Sequence, residues 1–336
     1  MGKKIPGLGS PRYLPLVFPR VPLIQTPTPL HRLDRVSADL GIDLWIKRDD
    51  LTGFAMGGNK GRKLEFLLAD ALAMEAEVVV TCGSAQSNFI RQLGAACSCC
   101  GLGCAAAVMA LPFEDAPPEH DAMPPTGGNV LLDRILGVDL RLHPNGTWEK
   151  LYSLAEDLAR EYEAAGKRVY RIPVGGSAPL GAYAFLQAAH ELKAQAPPFG
   201  TILFASSSGS THTGLLYGLR EVGTRILGVA CDPEPEIAED FAALAAGLAE
   251  LVGGPAAPTA ADFELDFRFV GAGYGVASEA GDAAIEYLAR REGIFLDPIY
   301  SGKAFACLLA RVRERTLEGR VLFWHTGGLP ALFAVQ

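Results

Sequence analysis

The sequence predicts an α/β protein of two domains, doubly wound, with helices on both faces of mostly parallel strands in three αβα layers. Two observations carry that expectation. The chain has 336 residues, 49% of them hydrophobic, which is more than one core normally organises. From residue 76 onward, short β-branched runs alternate with helical stretches, as parallel βαβ units do. The alanine-rich helices repeat at no fixed period, so a solenoid is not expected.

In chain order, the N-terminus begins with Lys3 and Lys4 but meets Pro6, Pro11, Pro15 and Pro19 without a continuous apolar stretch, so neither a signal peptide nor an anchor is expected. The first helix is expected over Lys63–Ala73, behind a glycine-rich turn. The valine run of Glu77–Cys82 predicts a strand, and Ser87–Gly101, rich in alanine and cysteine, a helix. Cys104–Met109 predicts the next strand. Leu111–Gly128, rich in proline, glycine and acid, is expected to be a surface loop and a candidate lid. Beyond it, strands are expected at Asp139–Leu142, Arg168–Ile172, Thr201–Ala205, Arg225–Cys231, Asp266–Val270 and Val321–His325. Helices fill the intervals Trp148–Ala165, Pro179–Ala196, Thr213–Glu221, Pro235–Leu251, Ser278–Gly293 and Gly302–Glu318.

Composition narrows the function. A net charge of -8 opposes sequence-independent binding of nucleic acid, which needs clustered Lys and Arg, and no apolar run is long enough for a membrane span. A small-molecule ligand is the expectation. Cys97, Cys99, Cys100 and Cys104 crowd one apolar segment without the paired CxxC knuckles and nearby His of a zinc site. They read as small buried hydrophobes of a reducing cytoplasm, with no metal.

The chemistry concentrates in Gly57-Gly58-Asn59-Lys60-Gly61-Arg62-Lys63-Leu64-Glu65-Phe66, which sets one lysine in a glycine-rich turn at the start of an amphipathic helix. Glycine permits close backbone approach to a ligand, and a helix N-terminus disfavours a nearby ammonium. Lys60 is therefore a candidate Schiff-base former; the bland alternative is an exposed lysine in a loop. A second site follows the strand at Thr201: Ser206-Ser207-Ser208-Gly209-Ser210-Thr211-His212-Thr213-Gly214 leads into an apolar helix, an arrangement that binds phosphate at a helix N-terminus or is simply a serine-rich cap. It is neither GxGxxG nor a Walker A motif. A lysine for an imine and a cradle for one phosphate together suggest pyridoxal phosphate. A third polar turn, Gly83-Ser84-Ala85-Gln86-Ser87-Asn88, could set an amide against its ring. The remaining alternative is a nucleotide site.

These residues resemble the fold type II pyridoxal phosphate enzymes, of tryptophan synthase β-like fold, and within them the D-cysteine desulfhydrase and 1-aminocyclopropane-1-carboxylate deaminase family. The resemblance runs through Thr26–Leu30, Trp45–Asp50, Gly57–Lys63, Gln86–Asn88, Gly175–Ser177, Gly273–Gly275, Asp297–Tyr300 and His325–Gly328. It implies that Lys60, with Asn59 beside it, binds the cofactor covalently and then shuttles the substrate's α-proton. It further implies that Asn88 hydrogen-bonds the ring oxygen, that Ser208, Gly209, Ser210 and Thr211 take the phosphate, and that Ser87, Tyr274 and Tyr300 face the substrate. The deaminase branch has Tyr-Glu-Gly-Lys where this chain has Tyr300-Ser301-Gly302-Lys303. Ser301, with Thr326 as a second hydroxyl, would leave the ring nitrogen largely neutral, which favours β-elimination over ring opening.

Two positions depart from the family. Phe89 replaces a histidine or glutamine that faces the substrate, and Ala178 replaces an asparagine, so a more apolar pocket is expected. The expected protein is a cytoplasmic homodimeric lyase acting on a small amino acid, with residues 1–62 and 175–336 forming the large cofactor domain and 63–174 a small inserted one. The alternatives are a ring-opening deaminase and a binding protein that has lost turnover.

Overall fold

The computed structural model describes residues 18–112, 123–234, 236–317 and 319–334, which form ten helices and ten strands in two sheets. The larger sheet has the order β1 (Leu30–Arg32), β2 (Asp43–Arg48), β10 (Arg320–His325), β7 (Thr201–Ser206), β8 (Arg225–Ala230) and β9 (Glu264–Asp266). Only its β1–β2 pair is antiparallel. The smaller sheet, β5 (Asp139–Leu142), β4 (Gly103–Met109), β3 (Val78–Ser84) and β6 (Val169–Arg171), is parallel throughout.

Alternation along the central strands explains the layering, because successive side chains point to opposite faces. On β10, Val321 and Phe323 join a core with Phe305 and Leu308 of α10 (Ser301–Arg313) and Leu288 of α9 (Glu279–Glu292). Leu322 and Trp324 join the opposite core, with Phe185 of α6 (Pro179–Gln195) and Leu215 of α7 (Ser210–Leu219). Each such large side chain, wholly buried, contributes roughly 1.5–3 kcal/mol. All of β3 is buried: Val79 joins a third core with α2 (Lys60–Ala73) and α3 (Asn88–Cys100), and Val78 and Val80 on the other face pack against Leu158 and Ala159.

Several boundaries differ from the sequence expectation. The helix expected from Lys63 begins at Lys60, and the one expected from Thr213 begins at Ser210, so both chemistry-bearing turns are first helical turns. The strand expected over Asp266–Val270 ends at Asp266, whose carboxylate accepts from the Arg268 backbone N–H at 3.1 Å and from Arg311 Nε at 3.0 Å; those bonds turn the chain out of the sheet. Short or polar elements escaped the pattern: β1, α1 (Asp34–Leu40), β2 and α4 (Gly128–Ile135). Most of the loop expected at Leu111–Gly128, and the proline-rich N-terminus before residue 18, lie outside the described residues. The cysteines are mixed, contrary to expectation: on α3, which turns only one face inward, Cys97 is buried, Cys100 partly covered and Cys99 exposed, and Cys104 at the start of β4 is partly covered. Among the described residues no helix is long and apolar enough to cross a membrane.

Candidate active site

The C-terminal ends of β3, β7 and β10 open on a cavity of ≈ 480 Å³, the place where parallel sheets bind ligands. Lys60 enters it from a turn of four consecutive left-handed residues, with φ of 45° at Ala55, 64° at Met56, 74° at Gly57 and 122° at Gly58. Glycine is required at the last two: a Cβ on Gly57 would lie 1.8 Å from the Asp50 carbonyl, and one on Gly58 2.7 Å from Gln92 Nε2. Ala55 and Met56 have no such exemption, and each such conformation costs roughly 1–2 kcal/mol. Backbone bonds from Gly58 N–H to Asp49 O and from Asn59 N–H to Thr326 O, both 2.9 Å, hold the turn to the large sheet.

Lys60 Nζ donates to Asn59 Oδ1 at 3.1 Å, and Asn59 Nδ2 donates to Thr211 Oγ1 at 3.0 Å. The lysine turn is thus tied through one side chain to the serine-rich turn. Burial pushes the Lys60 ammonium down to about 8, with Arg91 acting in the same direction against Cys231 and Asp297. Its amine is therefore available as a nucleophile or base.

At the serine-rich turn, Gly209 caps α7 with φ 97°, and a Cβ there would lie 2.6 Å from the Phe241 ring. Ser208, Gly209 and Thr211 border the cavity, and the first amides of α7 have no intrahelical acceptor. Ser210 is turned away, its hydroxyl donating to Gly176 O at 3.1 Å. Ser177 Oγ bonds the Ser208 carbonyl and lies 3.2 Å from Ser210 Oγ, so the Gly175–Ser177 loop braces the turn from behind. Lys63, one helical turn beyond Lys60, is 1% exposed, borders the cavity and donates from Nζ to Gly175 O at 2.9 Å.

The third turn leads into α3. Ser87 caps it, its Oγ accepting from the N–H groups of Phe89 at 3.2 Å and Ile90 at 3.4 Å, which leaves the hydroxyl proton free to donate. Asn88 Oδ1 accepts from Arg91 Nη1 at 2.7 Å and from Asn129 Nδ2 at 3.1 Å, which leaves the Asn88 Nδ2 donors for the cavity that the residue borders. Opposite stand Tyr274 and Tyr300, their hydroxyls 2.5 Å apart and Tyr274 OH 3.3 Å from Ser84 Oγ. Burial pushes Tyr274 up to about 12 and Tyr300 well above its ordinary value, so both are neutral hydroxyls.

The structure therefore brings Asn59, Lys60, Ser87, Asn88, Ser208, Gly209, Thr211, Tyr274, Tyr300 and Thr326 to one cavity. It does not bring Ser301 or Ser210 to its wall. Ser301 Oγ donates to Asp297 Oδ1 at 2.6 Å and accepts from Asp297 N–H at 2.8 Å. Phe89 borders the cavity but is 1% exposed, packed in the core between α2 and α3, where Ala178 also packs without bordering the cavity. Sequence reasoning missed Lys63, Arg91, Asn129, Trp148 and Asp232. The three-residue step from Lys60 could have marked Lys63. Nothing local marks Trp148, whose Nε1 donates to Asp232 Oδ2 at 3.3 Å from 84 positions away.

These residues fit pyridoxal phosphate. A lysine amine of lowered basicity, an N-terminal amide turn that a Cβ on Gly209 would fill, a buried lysine at Gly175 and an amide with free donors share one cavity. Residues 21–327 match the family described as pyridoxal-phosphate dependent enzyme. The chain is 41% identical to the D-cysteine desulfhydrase of Yersinia pestis (strain Pestoides F), over 94% of this chain and 96% of that one, and 39% identical to the D-cysteine desulfhydrase of Salmonella newport (strain SL254), with the same coverage. Its fold is similar to the crystal structure of an ACC deaminase homologue, with a TM-score of 0.85, 36% identity and 94% of both chains covered. A more distant likeness, to O-ureido-L-serine synthase, has a TM-score of 0.63 at 20% identity over 91% of this chain and 90% of that one, and concerns the fold alone. With its fold, its cavity and nearly its whole length in agreement, the chain belongs to the family of pyridoxal-phosphate-dependent enzymes.

Proposed function

We propose that the chain is a lyase that removes a β-substituent from a small amino acid, converting a cysteine-like substrate and water to pyruvate, ammonia and sulfide. The observation that carries this reading is the Lys60 amine, lowered to about 8 by burial, in one cavity with a pair of neutral tyrosine hydroxyls. The named activity of the D-cysteine desulfhydrases at 41% and 39% identity supports it. Lys60 and Asn88 would hold the aldehyde end of pyridoxal phosphate, and the α7 amides with Lys63 its phosphate. When bound, the cofactor supplies an electron sink for the substrate's α-carbon. Ser87 is placed to donate to the substrate carboxylate, and Lys60 to take the α-proton. The Tyr274–Tyr300 pair is placed to hand a proton to the departing group. Phe89 adds no donor to the wall it borders, which makes the substrate pocket more apolar there. We further propose the two-domain division at 62/63 and 174/175, a cytoplasmic location and a homodimer.

The similarity to an ACC deaminase homologue favours a second reading, opening of a cyclopropane amino acid to 2-oxobutyrate. Incubating purified, cofactor-loaded protein with β-substituted alanines and with the cyclopropane substrate, and identifying the keto acid, separates the two. Pyruvate is expected, with a yellow protein whose visible band borohydride abolishes and Lys60→Ala lacks. Exclusive 2-oxobutyrate, or no keto acid above the Lys60→Ala background, overturns the proposal.

A further inference from the structure

Arg91 is 1% exposed, yet among the described residues no carboxylate is hydrogen-bonded to it. Its Nε donates to Ala55 O at 3.0 Å and its Nη2 to Gly57 O at 3.0 Å, while Nη1 donates to Asn88 Oδ1 at 2.7 Å and to Asn129 Oδ1. The first two acceptors belong to the left-handed turn that delivers Lys60; the other two are amides at the start of α3 and α4. One planar fork therefore joins the strained turn to the cavity-facing amide, and a guanidinium fixes those directions as no ammonium can. Asn129 depends on the same fork. With its Oδ1 held by Arg91, its Nδ2 donates to Gln86 O at 2.7 Å and to Asn88 Oδ1 at 3.1 Å, so Arg91 fixes the orientation of both amides.

We propose that Arg91 is the positioning residue of this site: it clamps the Lys60 turn to the Asn88 amide and sets near Lys60 a positive charge that no carboxylate hydrogen-bonds. Two carboxylates, Asp133 and Asp297, act on that charge without hydrogen-bonding to it. Asp297 already accepts from the N–H groups of Ile299, Tyr300 and Ser301 and from the Ser301 hydroxyl. Among the described residues neither carboxylate oxygen of Asp133 on α4 has a hydrogen-bond partner, and burial pushes its carboxyl up to about 7 despite Arg91. Lys60 itself faces Arg91, Asp297 and Cys231 at the end of β8, with Lys63 one turn along α2. Without Arg91 the Asn88 amide is free to turn its oxygen to the cavity, and the Lys60 nitrogen is free to hold a proton at higher pH.

The two roles separate in two variants. Arg91→Lys keeps the charge and loses the fork; Arg91→Gln loses the charge and keeps donors. Each is loaded with pyridoxal phosphate, checked for native circular dichroism, and titrated with pH by its visible absorption, alongside kcat and KM for keto-acid release. For Arg91→Gln the spectral midpoint is expected to rise above that of the wild type. For Arg91→Lys the midpoint should stay at the wild-type value, while kcat falls at least about tenfold with KM little changed. A folded Arg91→Gln with an unmoved midpoint, an Arg91→Lys with unaltered kcat, or loss of folding in both variants overturns the proposal and leaves Arg91 a stabilising residue only. The kinetic arm rests on the lyase reading, but the spectral arm needs only the bound cofactor. A wild type without turnover would thus sink that reading while the midpoints still decide the role of Arg91.

Discussion

A lysine whose ammonium burial lowers from 10.5 to about 8 is a usable nucleophile near neutral pH, where an exposed lysine is almost wholly protonated. The sign of the pH dependence follows, because only the neutral amine attacks an aldehyde. Stopped-flow mixing of cofactor-free protein with pyridoxal phosphate should show a rate of visible-band formation that climbs about tenfold per unit below pH 8 and levels above it. A rate that keeps climbing toward pH 10 would mean that the amine is not desolvated. Lys60 was legible because its neighbours Gly57 and Gly58 can be read as a turn in a single line of sequence. Arg91 was not, for its acceptors Ala55 and Gly57 lie more than thirty positions away and its type alone suggests a solvated helix face. Ser301 shows the converse: its place in a family motif pointed to the cofactor, while its hydroxyl donates to Asp297.

At the scale of the element, the proposed phosphate cradle depends on a backbone conformation more than on its hydroxyls. Gly209 has φ 97° and stands against the Phe241 ring, so Gly209→Ala is doubly opposed, by strain and by a 2.6 Å contact. We expect that substitution to weaken cofactor affinity at least about tenfold, or roughly 1.4 kcal/mol, measured by equilibrium dialysis. Ser210→Ala, whose hydroxyl points to Gly176 rather than the cavity, should change affinity less than Gly209→Ala, and the reverse order would show that hydroxyls hold the phosphate. Here the sequence located the strand, turn and helix but started α2 and α7 three residues late. Helix starts are weakly written when no strong cap precedes them, and neither Asn59 nor Gly209 makes a side-chain capping bond. Where a capping serine is present, at Ser87, the expected start fell within one residue.

For the whole molecule, the first turn of α2 must be fixed to the large sheet, and a buried ion cluster does this. Arg62 Nε and Nη2 donate to the two Asp49 oxygens at 2.9 and 2.8 Å, and its Nη1 donates to Glu191 Oε2 at 2.9 Å. Lys47 Nζ reaches Glu191 Oε1 at 2.5 Å, and Trp324 Nε1 donates to Asp49 Oδ2 at 2.9 Å. These partners come from β2, the turn after it, α2, α6 and β10, so no local pattern could reveal them, although the layers they join were legible from strand and helix alternation. Burial alone would raise the Glu191 carboxyl, but hydrogen bonds and charge from Arg62 and Lys47 outweigh it and bring it down to about 2. Since an unfolded glutamate titrates near ~4.3, the carboxylate contributes stability above that pH and loses it as pH falls toward 2. Glu191→Gln leaves Lys47, which is wholly buried, without its carboxylate, and should cost about 3–5 kcal/mol at pH 7. In urea melts run at intervals from pH 7 to 2, the gap between wild type and variant should be constant down to about pH 5. It should then close toward pH 2, because the protonated wild-type carboxyl approaches the amide in charge. A gap independent of pH throughout would locate the loss in packing, and no gap at pH 7 would show that the cluster does not anchor α2.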